Sequence, residues 1–350
     1  MRVAVIGATG NVGTSVTRLL AADDRVESIL GVARRRPDLP LPKTEWVAAD
    51  VTRSDLAPLL SGMDVVVHLA WLIQPSHDEQ TLRRVNVDGS RRVLAAVTKA
   101  QVPALVYASS VGAYSPGPKD RFVDESWPTG GIHSSFYSRH KAEVERLLDD
   151  FEKETPTTRV VRMRPGLTFK REAATGIRRL FAGPFLPGSA LRPGLLPFLP
   201  VPRGLCFQAI HADDVAEGYR QAVVREVRGA FNLAADGPLD PESLAASLGT
   251  RPIVVNPALV RSVVATLWYA RLQPTPPGWL DLALAVPLVD TSRAREELGW
   301  VPRHTGAEAL EDLLAGLRAG ASGHTPPLAS ETGGPMRLRE LGTGVGGRDR

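Results

Sequence analysis

The chain has 350 residues, 42 of them basic and 38 acidic, giving a formal net charge of +4. Charges so nearly balanced leave no basic stripe for a nucleic-acid backbone, and one cysteine, Cys206, rules out an intramolecular disulfide and any cysteine-built metal site. No uncharged apolar stretch reaches the roughly 20 residues of a membrane span. Nor does the N-terminal region read as a signal peptide, since Arg18, Asp23 and Asp24 follow the opening apolar run. The expectation is a cytoplasmic chain without metal, with one α/β core and an appended lobe.

The chain opens with MRVAVIGATGNVGTSVTRLL. Val3 to Ile6 form an apolar run of the kind found in a parallel strand covered on both faces, and a helix follows at once. Between them Gly7, Gly10 and Gly13 have the spacing of a dinucleotide-binding turn. The first glycine permits the turn, the second admits a pyrophosphate, and the third lets helix pack on strand. Thr9, Asn11 and Val12 complete the loop, with the anion at the helix N-terminus.

VESILGVARR is the second strand, and its end lies about 20 residues past the turn, where the adenosine ribose is read. Arg34 and Arg35 stand there in place of an acidic residue, and forked donors suit a 2′-phosphate, so NADP is expected over NAD. EWVAADV ends in Asp50 and Val51, placed to meet the adenine. MDVVVHLAW ends in Leu69 and Ala70, where a cofactor lies close. His68 reads as a packed strand-end residue.

A helix is expected from about Glu79 to Ala100, with Asn86 inside it. Asparagine competes for backbone hydrogen bonds at such a position, which marks a role outside helix formation. PALVYASS delivers Ser109 and Ser110 to the C-terminal sheet edge, and TRVVRMRP ends at Pro165. Strands alternating with helices specify a doubly wound parallel sheet of Rossmann type.

The boundaries that follow are 1–165 for the nucleotide-binding core, completed by about 205–228, and 166–318 for a smaller substrate-binding lobe. The lobe contains a proline-rich loop at 181–203, a short strand GAFNLAA and an amphipathic helix at 257–272 that is expected to pack. From 319 to 350 the glycine-rich sequence reads as a disordered tail.

Tyr137 and Lys141, four apart, share one face at the start of a helix. Lysine near a phenol stabilises phenolate, and moving a tyrosine down by about three units from pH 10 takes roughly 4 kcal/mol. The phenol would then exchange a proton with a carbonyl or alcohol, with Ser110 hydrogen-bonding the same oxygen. No GxSxG elbow supports a serine hydrolase.

With GATGNVG, AADV, HLA, VNVDGS, VYASSVGAY, DESWP, YSRHK, RMRP, IHADDVA, FNLAADG and DTSRAREELGWVP in this order, the chain resembles an extended short-chain dehydrogenase/reductase of the NAD-dependent epimerase/dehydratase family over about residues 1–315. The resemblance implies that Ser110, Tyr137 and Lys141 are catalytic, that Lys141 holds the nicotinamide ribose, and that Asn86 supports the site. It also implies a homodimer through the helices beginning near Glu79 and Tyr137.

Three departures from the family pattern stand out. Arg164-Pro165-Gly166-Leu167 lacks the asparagine of members that bind nucleotide sugars, and Phe207 replaces their diphosphate-binding arginine. Ser115 replaces a glycine near the nicotinamide. The expected reaction is therefore hydride transfer at a carbonyl or secondary alcohol of a small, fairly apolar molecule. A nucleotide-sugar epimerase or dehydratase with tightly bound NAD, and a non-catalytic nucleotide-sensing protein, are the alternatives.

Overall fold

The structure is a computed structural model, and it describes residues 1–73, 77–181 and 194–329. Seven strands form one parallel sheet: β1 (Arg2–Ile6), β2 (Ser28–Ala33), β3 (Thr44–Ala48), β4 (Val65–His68), β5 (Ala104–Ala108), β6 (Arg159–Pro165) and β7 (Gly229–Leu233). Their spatial order is β7-β6-β5-β4-β1-β2-β3, so the chain reverses direction across the sheet between β1 and β4. The register pairs Val3 with Ile29 on one side and with Val65 on the other.

Each strand feeds two cores because its alternate side chains leave by opposite faces. Val3, Val5, Val65 and Val67 enter one core; Ala4, Ile6 and Val66 enter the other. The first core is covered by α1 (Asn11–Ala21) and a later helix. On the opposite face lie α2 (Glu79–Arg83), α3 (Gly89–Lys99) and α4 (Phe136–Glu154). α4 presents Val144, Leu148 and Phe151 at helical spacing. The later helix is α5 (Ala212–Val224), which presents Val215, Ala216, Tyr219, Ala222 and Val223 beside Val16 and Leu20 of α1.

The structure departs from the sequence expectations in several places. The helix expected from Glu79 is interrupted by a π-helical turn at Arg84–Asp88, which contains Asn86. The short strand at 229–233, expected beyond the core, joins the main sheet by pairing with β6, because its alternating apolar residues bury Phe231 and Leu233. Within the proline-rich loop, residues 182–193 lie outside the described part, whereas Leu199–Pro202 forms a strand paired in parallel with Pro252–Val255. α6 (Pro257–Tyr269) is present, but Leu259 and Val263 face outward and Trp268 is its buried residue.

α7 (Gly278–Ala285) and α8 (Gly306–Ala319) complete the lobe. The start of the expected disordered tail is packed: Thr325 and Leu328 are buried, and the Thr325 hydroxyl donates to the Thr9 carbonyl at 2.8 Å. Residues 330–350 lie outside the described part. Among the described residues no helix is long and apolar enough to cross a membrane.

One buried carboxylate fastens α4 to the sheet. Glu145, wholly buried, accepts from Arg164 at 2.9 and 3.0 Å, from Arg162 at 2.9 Å, and from the Ser109 hydroxyl. Arg164 also donates to the Tyr114 hydroxyl and the Glu125 carbonyl, and Tyr114 passes its own proton to Asn232 of β7 at 2.7 Å. Burial alone would raise the Glu145 carboxyl, but the two guanidiniums more than offset it and hold it at about 2.

A carboxyl held below its unfolded value of 4.5 contributes stability above that pH and loses it as the pH falls from 4.5 towards 2. Glu145→Gln leaves the buried Arg164 guanidinium short of its counter-charge, while Arg162 keeps Asp149 and Glu152, and is expected to cost about 3–5 kcal/mol. It should also flatten the fall in melting temperature below pH 4.5. Thermal melts across that range check both, and an unchanged midpoint at pH 7 would refute the role assigned to this carboxylate.

Candidate active site and dinucleotide cradle

The expected cofactor residues gather along the C-terminal edge of the parallel strands. Gly7 leaves β1 with φ +89°, a conformation open to glycine, and a Cβ there would meet the Ala70 nitrogen at 2.6 Å. The turn is thus wedged against Leu69 and Ala70 at the end of β4. A Cβ on Gly13 would lie 2.3 Å from the Gly7 carbonyl oxygen, so the third glycine is demanded by the fold. Gly10 differs. Its Cβ would find only the Gly7 oxygen at 3.5 Å, an ordinary contact. The protein's own packing gives no reason for glycine at that position, which fits the close approach of an external group.

Gly10 is also the N-cap of α1, with no side chain capping the helix and no acidic residue in the first turn. The first-turn N–H groups therefore remain available to an anion. The lobe grips this loop from behind. Lys170, buried, donates to the Asn11 carbonyl at 2.6 Å and the Thr14 hydroxyl at 2.7 Å, and the Asn11 amide donates to the Thr168 carbonyl at 3.2 Å. Burial brings the Lys170 ammonium down to about 8.

Arg34 and Arg35 are exposed at the end of β2. Asp50, at the end of β3, is occupied locally by Thr52 through its N–H at 2.9 Å and hydroxyl at 2.7 Å. Val51 packs beneath Gly89 and offers its carbonyl to Arg92. Pro165 ends β6 opposite Leu233.

The expected catalytic residues converge. Ser110 caps a 3-10 turn, its hydroxyl accepting from the Gly112 N–H at 3.0 Å. Gly112 lies so close that a Cβ on it would be 2.8 Å from the Tyr137 ring and 3.3 Å from the Ser110 hydroxyl. Against the expected lowering by a neighbouring lysine, burial pushes the Tyr137 phenol up to about 12, with the hydrogen bond to Ser110 acting in the opposite sense, because the Lys141 nitrogen lies 6.0 Å from the ring centre. One turn along α4, Lys141 donates to the Ala108 carbonyl at 2.5 Å. Burial holds its ammonium well below the ordinary lysine value, partly countered by Glu145.

Asn86 acts on this region at one remove. Its carboxamide accepts from the Leu72 N–H at 2.7 Å and donates to the Leu72 carbonyl at 3.0 Å. The π turn delivers that side chain inward, pinning the segment after β4 on which Trp71 stands. His68 is packed, with Nε2 3.1 Å from the Ser90 hydroxyl, and burial drives it down to about 3.

Sequence reasoning did not pick out the walls of the site. The Lys141 nitrogen lies 3.5 Å from the Trp71 ring centre, and the Trp71 and Tyr137 rings meet edge to face at 6.1 Å. Trp279 of α7 lies over the other side of Tyr137 with centroids 5.0 Å apart. Glu145, two turns beyond Tyr137, was also missed, although the spacing 137, 141, 145 signals a single helix face. Phe207, where nucleotide-sugar enzymes would have an arginine, packs against the cluster of Phe169, Leu239 and Leu310. Among the described residues there is no grouping of three or more histidine, cysteine, aspartate or glutamate side chains suited to a metal.

An uncharacterised protein of Mycobacterium tuberculosis is 28% identical over 322 residues, covering 91% of this chain and 30% of its own length, so the chain spans less than a third of that relative. A decarboxylating sterol-4-alpha-carboxylate 3-dehydrogenase of Candida albicans is 36% identical over 90 residues, 25% of each chain. Among solved structures, the UDP-glucose 4-epimerase of Thermus thermophilus in complex with NAD superposes with a TM-score of 0.68 at 19% identity, covering 92% of this chain and all of that one. At that identity the likeness shows a shared fold. The model of the NAD dependent epimerase/dehydratase family matches residues 3–181, and the chain belongs to that family.

Proposed function

We propose that the chain is an NAD(P)-dependent oxidoreductase transferring hydride to or from a carbonyl or secondary alcohol of a small, fairly apolar molecule, with Tyr137 as general acid/base. The observation that carries this reading is the convergence of Ser110, Tyr137 and Lys141 inside walls made of Trp71 and Trp279. A bound nicotinamide dinucleotide would supply or accept the hydride. Its phosphates would be met by the first-turn N–H groups of α1 and its 2′-phosphate by Arg34 and Arg35.

Within the site, the phenol at about 12 is protonated at neutral pH, which equips Tyr137 to donate to the oxygen of a carbonyl being reduced. Ser110 would orient that oxygen. Lys141, beside the phenol, lowers the cost of the phenolate left behind. The aromatic walls exclude water and leave few polar groups for a sugar diphosphate, and Phe207 turned into a core adds to that. The relative named as a sterol-4-alpha-carboxylate 3-dehydrogenase is in line with hydride transfer at a secondary alcohol or carbonyl. The nucleotide-sugar epimerase alternative has the fold likeness in its favour.

Three outcomes follow. Tyr137→Phe should lower turnover by about 10²–10⁴-fold in NADPH-oxidation assays on a panel of apolar ketones, with nucleotide affinity changed only a few fold. Retained turnover would refute the assignment. Gly10→Ala should leave the melting temperature nearly unchanged, since its Cβ meets only the Gly7 oxygen at 3.5 Å, yet weaken NADPH binding by about ten-fold or more. Unaltered titration would place the dinucleotide elsewhere. For cofactor choice, NADPH should bind about 10- to 100-fold tighter than NADH, and Arg34→Asp should erase or invert that ratio. Equal dissociation constants for the two nucleotides in the unmutated chain would instead favour NAD.

A further inference from the structure

Eight of the twelve large hydrophobic residues that are strongly exposed among the described residues fall in two short stretches, 195–198 and 253–272. The fold brings these stretches together. The strand Leu199–Pro202 pairs with Pro252–Val255, placing Ile253 opposite Pro200 and Val254 opposite Val201, and α6 begins at Pro257 directly after Asn256 caps it. Phe198, Ile253, Leu259, Val263 and Leu272 are between 46% and 63% exposed, and Tyr269 at the end of α6 is 79% exposed; Val254 leaves the strand by the opposite face from Ile253, on the side of the buried Val201. A patch of this extent on one lobe marks an interaction surface.

We propose that this face docks the protein on an anionic lipid bilayer. α6 is apolar around most of its circumference, a composition otherwise met in buried or membrane-embedded helices. At 13 residues it is about 20 Å long, too short to cross the roughly 30 Å hydrocarbon core, so it lies along the interface. The charge that these two stretches themselves carry has one sign. Residues 194–212 and 243–280 include Arg203, Arg251, Arg261 and Arg271 and no aspartate or glutamate. Arg261 is paired with Asp281 of α7 at 2.8 and 3.0 Å, so the positive excess comes from Arg203 and Arg251, exposed at the two ends of the strand pair, and it complements acidic headgroups. Tyr269 sits at the helix end, where aromatic side chains favour the headgroup level.

The test uses the full chain and needs no knowledge of its reaction. Co-sedimentation is compared with vesicles of phosphatidylcholine alone and with vesicles containing about one-third phosphatidylglycerol. Partitioning should be about ten-fold or more stronger on the anionic vesicles and should weaken as salt is raised. Leu259→Asp with Val263→Asp should lower it by about ten-fold or more, and Arg251→Glu by about five-fold or more. Both substitutions lie on the surface, so melting temperature and nucleotide binding should be retained. Failure of the unmutated chain to bind anionic vesicles would overturn the proposal. So would equal binding of the double variant, or sedimentation velocity showing a dimer that the double variant dissociates while no vesicle binding occurs.

Discussion

The Glu145 carboxylate is the constraint on which the rest of the site depends. Sequestering an anion and two guanidiniums costs several kcal/mol per ion, which is recovered only where hydrogen bonds satisfy the buried atoms. Here they do: one oxygen takes Arg164 and Ser109, the other takes Arg162 and Arg164. The result fixes the rotation of α4 about its own axis relative to β5 and β6. Lys141 and Tyr137 lie one and two turns back on the same face, so the bond that holds the helix also determines where they point. Ser109 joins the network directly, and Ser110, its neighbour, takes its place from that anchor.

The electrostatics of Tyr137 and Lys141 follow from their neighbours. Two tryptophans and a tightly packed glycine leave little room for water, so the phenol rises and the ammonium falls for the same reason, the penalty on charge in a poorly solvated setting. The cation over Trp71 recovers part of this through the ring's electron density. Glu145 recovers another part, opposing the fall in Lys141 across one helical turn. A buried carboxylate of structural origin thereby tempers the charge of the lysine one turn from Tyr137.

What could be read in the sequence was whatever depends on neighbours along the chain. β1 from Val3 to Ile6 and β4 from Val65 to Val67 are apolar because both their faces are covered, and the glycine spacing reports a turn whose positive φ at Gly7 requires that residue. Tyr137 and Lys141 are four apart on a helix, and the strand-end serines follow from counting. The features that escaped depend on distant partners. Trp279 reaches Tyr137 from a helix 142 positions further on, and Thr325 closes on Thr9 across 316 positions. The strand at 229–233 looks like any short apolar run until β6 offers its edge. Asn86 announced itself as a poor helix residue, but the π turn that aims it at Leu72 depends on the segment it grips.

The glycine loop shows how such distant contacts prepare a site in advance. Its concave side keeps the N–H groups of the first turn of α1, while its other side is bound by Lys170, by the Thr168 carbonyl and by Thr325. Those contacts come from residues 168–170 and from Thr325, so the loop's shape is set by segments more than 150 positions away in the chain. Lys170 adds a cation behind the N-terminus of the helix, reinforcing the positive end of the dipole that an anion would meet. A loop held from behind loses little further freedom when a ligand arrives in front, and affinity gains what ordering would otherwise cost. Contacts from far along the chain therefore keep Gly10 and the first turn of α1 in the conformation that a phosphate would require.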